Sequence, residues 1–158
     1  MHYTGSGSNR HIEVMNEREE PVGSMDYPGW FPSKARITTK EHYVYELAPV
    51  GFWQTTIAIK KDGIPYAELK RHWFNSITIS FENGKPYAFR RKGIFSGNYI
   101  LVDDEQREMA RIGTKYKWST WRFEYEIDVH ENNLDKDVNA VLPFLLIYYT
   151  RYIRQAAS

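Results

Sequence analysis

The chain contains no cysteine. Disulfides, cysteine-ligated zinc, thiol catalysis and palmitoylation are excluded together. Met1 to Arg10 holds no apolar stretch of the kind a secretory signal needs. Long hydrophobic runs are missing as well. The longest, Val138 to Tyr149, covers twelve residues and is broken only by Asn139. As a helix it would rise about 18 Å against roughly 30 Å of bilayer hydrocarbon, so no transmembrane segment is expected. The expected location is the cytoplasm, peripheral to a membrane if a lipid partner exists. Charge of one sign is absent too: 21 basic and 20 acidic residues leave a net +1. A dedicated nucleic-acid binder carries a strong basic excess, so nucleic acid is not an expected partner. Ser96-Gly97 after Gly93-Ile94-Phe95 is no nucleophile elbow, and no phosphate-binding glycine loop occurs. His2, His11, His42, His72 and His130 show no ligand spacing. The chain reads as non-enzymatic, with no catalytic residue, metal or cofactor assigned.

What is present is aromatic. Tyr, Phe and Trp make up 16% of the 158 residues, a level that suits strands and barrels in a single domain. Residues 1–24 are polar and include Gly5-Ser6-Gly7-Ser8-Asn9, which reads as a flexible leader before a domain over 25–158. Tyr27-Pro28-Gly29-Trp30-Phe31-Pro32 combines turn chemistry with three rings and reads as a non-regular clasp.

From residue 35 the pattern has period two. Ile77, Ile79 and Phe81 alternate with Ser76, Thr78 and Ser80, and Trp121 to Val129 alternates apolar with charged throughout. Turn chemistry can be tested against this alternation. A three-residue loop Glu82-Asn83-Gly84, with Gly84 left-handed, sets Ile79 against Tyr87 and Ile77 against Phe89. A two-residue Asn-Gly loop would put Ile77 opposite Arg90, flipping one face into water. The same logic at Lys61-Asp62-Gly63 pairs Ile57 with Ala67 and Thr55 with Leu69. Asp103-Asp104-Glu105 makes a third turn, between Tyr99-Val102 and Arg107-Ile112. Short strands joined this way suggest an antiparallel meander, closed as a barrel or sandwich.

Then the period changes. Asn132, Asn133 and Asp135 are helix N-cap candidates, and Val138 to Ile153 is apolar around nearly its whole circumference until Arg151 and Arg154. Such a helix implies burial on all sides. Pro143 cannot donate to the Asn139 carbonyl, so the helix begins near it or is kinked there.

Strands first and one apolar helix last: this order resembles the tubby C-terminal-like superfamily, which includes tubby, the phospholipid scramblases and the LURP-one-related proteins. The units that carry the resemblance surround Lys61-Asp62-Gly63 and Asp103-Asp104-Glu105. The long strand Trp121 to Val129, the polar link His130 to Asp137 and the run Val141 to Tyr149 complete it, over roughly residues 35 to 154. The resemblance implies a mainly β fold, a closed antiparallel barrel of about twelve strands around a buried hydrophobic C-terminal helix. It also implies docking on phosphoinositide-like or other anionic lipid headgroups. The acidic stretch Asp128 to Asp137 lacks the Gly and terminal Glu of a calcium loop.

For such a headgroup the best candidates are Lys70, Arg71, Arg90, Arg91 and Lys92, from a basic group that also includes Lys60, Lys61 and His72. In a meander Lys70-Arg71-His72 and Arg90-Arg91-Lys92 meet at one barrel end, with Trp73 and Phe74 beside them. The same cations would also serve as guards of a strand edge. Glu124, Glu126 and Asp128 read as the wet face of a strand, paired with Lys115 and Lys117. Two other functions compete. One is a protein-interaction domain using Trp30, Phe31, Trp73 and Trp118. The other is a calycin-like barrel carrying an apolar ligand, which requires the terminal helix outside and is ended by burial of Leu142, Leu145 and Leu146.

Overall fold

The computed structural model describes residues 1–29, 33–51, 55–72, 76–82, 84–93, 97–117, 119, 122–130 and 136–157. Twelve strands follow one another: β1 His2–Gly7, β2 His11–Asn16, β3 Pro21–Asp26, β4 Ala35–Thr39, β5 Val44–Val50 and β6 Thr56–Lys61, then β7 Ile64–Arg71, β8 Ile77–Phe81, β9 Tyr87–Arg91, β10 Asn98–Val102, β11 Glu108–Lys117 and β12 Arg122–Val129. The helix Lys136–Ala157 comes last. Each strand pairs antiparallel with its sequence neighbour, and β1 pairs with β12 to close the barrel. At that seam the Met1 amine donates to the Val129 carbonyl and the Val129 amide to the Met1 carbonyl, both at 2.8 Å.

The helix fills the barrel. Every residue from Val141 to Thr150 is buried, with Leu142, Leu145 and Leu146 at most 1% exposed. A helix on a surface would keep a polar stripe; this one is wrapped by strands on all sides. The space that an apolar ligand would need is therefore occupied by the chain itself, which removes the calycin-like reading. The helix starts at Lys136 and carries Pro143 within it, so the alternative of a start at the proline is also removed.

Residues 1–24 are not a leader. They form β1, β2 and most of β3, a quarter of the barrel wall. The reason for the misreading lies in an inward row that runs Tyr125, Gly5, Val14, Gly23, Thr39 across β12, β1, β2, β3 and β4. Ile147 of the helix closes on Gly5, and Phe144 on Gly23. Helix and wall come so near here that the core positions hold no side chain, and the apolar alternation disappears from the sequence.

Elsewhere the alternation holds. Ile77 faces Phe89 and Ile79 faces Tyr87, as the loop argument requires. The loop itself is longer, 82–86, and Gly84 is not among the residues with positive φ. At the Lys61 turn the pairs are Ile57 with Leu69 and Ile59 with Ala67, two residues from the expected partners and on the same face. A two-residue turn at Asp62 (φ 49°) and Gly63 (φ 84°) joins the strands, and a bulge between Ile59 and Lys60 restores the inward parity.

The turn after β10 is built around Asp103, whose side chain is 7% exposed. Its carboxylate accepts the Glu105 and Arg107 amides at 2.9 Å each and the Arg107 Nε at 2.8 Å. These bonds, led by the Arg107 amide, hold the Asp103 carboxyl below its ordinary range despite the opposing effect of burial. Because the folded-state pKa is depressed, protonation favours the unfolded chain. The stabilisation is complete above the ordinary carboxylate range and is lost as pH falls through the folded value. Asp103→Ala should therefore melt lower than the parent at neutral pH. The gap should shrink as the melts are taken toward pH 2–3, and a pH-independent gap would show that the carboxylate charge is not what holds the turn.

Candidate functional site

A meander closed into a barrel sends alternate connections to opposite ends. The tight turns 17–20, 40–43, 62–63, 82–86 and 103–107, with the link 130–135 into the helix, lie at one end. The connections 8–10, 27–34, 51–55, 72–76, 92–97 and 118–121 lie at the other, where the helix also finishes. We call the second end the rim.

Arg71 ends β7 and Arg91 ends β9, so both basic triplets do arrive at the rim. Register fixes their spacing. Lys70 pairs with Thr78 and Thr78 with Ala88, which places Arg90 two strands across and two residues nearer the rim. At about 4.8 Å per strand and 3.3 Å per residue, the two backbones are roughly 12 Å apart. Lys70 and Arg90 share the outer face, since Leu69 and Phe89 between them and their neighbours point inward and are buried. Arg71 and Arg91 have the opposite parity and stand over the barrel mouth. Burial raises the Tyr152 hydroxyl pKa, and Arg71 is near enough to oppose that rise; the Arg91 guanidinium lies 5.9 Å from the Tyr99 ring centre. Lys70, Arg71 and Arg90 make no ion pair among the described residues.

The other members of the sequence cluster separate from them. Lys60 and Lys61 sit at the turn end, where the Lys61 ammonium lies 3.6 Å from Asp137 and 4.3 Å from the Tyr43 ring centre. Lys92 folds back along the outer wall and contacts Glu108 at 3.4 Å. Glu108 also binds His130 Nε2 at 2.6 Å and Arg111 at 3.2 Å. Burial opposes its ionisation, but His130, Arg111 and Lys92 outweigh that and hold its carboxyl below the ordinary value. Lys92 therefore has a carboxylate already, and it is the weakest of the five candidates for a phosphate.

The acidic row on β12 is cross-paired: Lys115 reaches Glu126 at 3.5 Å and His2 Nδ1 reaches Asp128 at 2.8 Å. Exposed Arg36, Glu46, Glu68, Glu126 and Asp128 face outward along the wall, where a barrel spanning a bilayer would show an apolar band. Among the described residues no helix is long and apolar enough to cross a membrane. Trp30, Phe31, Trp73, Phe74 and Trp118 lie outside the described residues.

Sequence reasoning missed the cations that the fold adds to the same rim. Arg151, on the last part of the helix, donates from Nη2 to the Asn9 carbonyl at 2.7 Å and lies 4.1 Å from the Tyr27 ring centre. Burial raises the Tyr125 hydroxyl pKa, and Arg151 and Arg154 oppose it from above. Counting connections by parity would have found Arg10, Arg151 and Arg154, but only once β1 to β3 are recognised as strands. No family model, curated protein or solved structure matches this chain.

Proposed function

We propose that the protein is a non-enzymatic, tubby-like docking domain for anionic lipid headgroups, acting at a membrane surface. The observation that carries this is the convergence of Lys70, Arg71 and Arg90 at one stretch of rim with no carboxylate partner among the described residues. Lys70 and Arg90 share the outer face with backbones roughly 12 Å apart, and their side chains, each several ångströms long, can reach one phosphate group from either side. The order of strands and helix that resembles the tubby-like superfamily supports the same reading. Arg71 and Arg91, over the mouth, can meet a headgroup presented along the barrel axis.

Each exposed cation near an anionic bilayer contributes about 1 kcal/mol. The triple variant Lys70→Ala/Arg71→Ala/Arg90→Ala is therefore expected to bind roughly a hundredfold more weakly to vesicles that contain phosphatidylserine or phosphoinositide. Its melting temperature should stay near the parent's, since surface substitutions away from buried networks cost little. Co-sedimentation at low and near-physiological salt checks both the affinity and its screening. Equal pelleting of parent and variant would remove these residues from the site. No pelleting of the parent at low salt would remove the lipid function.

A further inference from the structure

Building on the headgroup-docking reading, we infer that the docking surface is the entire rim, and that the barrel stands upright on the membrane with its turn end pointing away. The two ends differ in charge. In the six rim connections there is no Asp or Glu at all. Arg10, Lys34, His72 and the Glu108-paired Lys92 fall within them, Arg71, Arg91 and Arg122 end or begin strands beside them against Asp26 at the end of β3, and Arg151 and Arg154 come up from the helix. The turn end is mainly acidic: Glu17, Glu19 and Glu20 share one turn, Asp103, Asp104 and Glu105 another, and Glu41, Asp62 and Glu82 sit in the remaining three, against Arg18, Lys40, Lys85 and Arg107 in the same turns. A near-neutral chain is thus a charge dipole along the barrel axis.

Magnitudes decide the orientation. A seven-residue strand is about 23 Å long, and a barrel tilt of 35–45° leaves roughly 17 Å of height. The Debye length near physiological salt is about 8 Å. Upright docking therefore keeps the acidic turns about two screening lengths from anionic headgroups, while the rim cations lie within one. Side-on docking would bring Glu68, or Glu126 and Asp128, against the same headgroups, at the like-charge cost that upright docking avoids. A basic surface also suits single-stranded nucleic acid, but that partner is held along a groove. Here the described cations are spread around the barrel end, from Arg10 beside β1 to Arg71 and Arg91 on β7 and β9, which fits a plane.

The chain's lack of cysteine makes the test clean. Gly97, on the rim, and Gly84, on the turn end, are both exposed, and a Cβ at Gly97 meets nothing within 4 Å while one at Gly84 meets only Phe81 at 3.9 Å. Full-length Gly97→Cys and Gly84→Cys, each labelled with an environment-sensitive fluorophore, are mixed with phosphatidylcholine vesicles with and without phosphatidylserine. The expected result is a blue shift and brightening at Gly97→Cys on the anionic vesicles alone, with no change at Gly84→Cys. A second arm replaces Arg10 and Arg154 with Ala, since the β1–β2 connection is across the mouth from the β7–β8 connection. Affinity should fall about tenfold or more, although neither residue belongs to the Lys70 and Arg90 cluster. Pelleting with a silent Gly97→Cys probe, or unchanged affinity in the Arg10/Arg154 variant, would overturn the upright rim while leaving headgroup docking in place. Failure to pellet at all would overturn both, and displacement of the protein from vesicles by oligonucleotide without a probe response would assign the rim to nucleic acid instead.

Discussion

Deletion of residues 1–24 is expected to abolish cooperative folding. The deletion removes β1, β2 and most of β3, and with them the pairings of β1 to β12 and of β3 to β4. β12 and β4 then become open edges on either side of a gap that exposes the helix. Tyr3, Ile12 and Val14 leave the core, where they are at most 7% exposed. Burying side chains of this size contributes about 1.5–3 kcal/mol each, so these three alone account for roughly 5 kcal/mol or more. A whole domain is stable by only about 5–15 kcal/mol. The loss is compounded by the apolar helix face, including Phe144 and Ile147, that the missing wall covers. Circular dichroism melts of the shortened chain should show no sigmoidal transition, and a dye for exposed apolar surface should bind strongly. A cooperative melt within a few degrees of the full chain would mean that these strands are an accessory to a barrel that closes without them.

The same segment shows where the sequence was opaque. Strand alternation is legible when the inward residues are large, as at Ile77, Ile79 and Phe89, and there the argument from register reaches the right pairs. It loses two residues at Asp62-Gly63 because a bulge adds a residue without changing which face is apolar, so burial cannot report the slip. It fails altogether in β1 and β3, where the inward residues of the central row are glycines. Gly, Ser and Asn in sequence look like a linker, but an inward glycine opposite a passing helix is a core contact with the side chain left out. The helix was legible because an all-apolar circumference has one physical meaning, and its Pro143 misled only about where it starts.

The candidate site was legible in part for the same reason. Lys70-Arg71 and Arg90-Arg91 meet because each lies at the end of an odd-numbered strand, and parity in the meander is enough to bring them to one rim. The contact of Lys92 with Glu108 was not legible, because Glu108 lies outside the strands that the cluster was drawn from. No local pattern announces that Arg10, Arg122, Arg151 and Arg154 belong to that rim, because their common location depends on closure of the barrel and on the path of the helix. Acid-free connections at one end and acid-rich turns at the other become visible only when connections are sorted by end.

The two glycines of the inward row should respond differently to a methyl group, and the contrast tests whether backbone or side chain sets the approach of the helix. A Cβ at Gly5 would lie 2.7 Å from Ile147 Cδ1, the far end of a flexible side chain, with its next neighbours at 3.6 Å and 3.7 Å. Gly5→Ala is expected to cost about 1–3 kcal/mol through overpacking, and Ile147→Val should recover much of it by removing the atom in the way. A Cβ at Gly23 would lie 2.5 Å from the Thr38 carbonyl oxygen and 3.0 Å from the Thr39 Cα, as well as 2.8 Å from Phe144 Cζ. Two of those three contacts are backbone, held by the pairing of β3 with β4. The φ of 151° at Gly23 adds strain for any residue with a side chain. Gly23→Ala is expected to cost about 3 kcal/mol or more, a fall in melting temperature of roughly 6–12 °C for a chain of this size. Adding Phe144→Leu to Gly23→Ala should not restore it, since the carbonyl and the backbone angle remain and a core cavity is added. Recovery of the Gly23→Ala melt by Phe144→Leu would show instead that the ring alone limits the approach, and that β3 can shift away from β4 to accept a side chain.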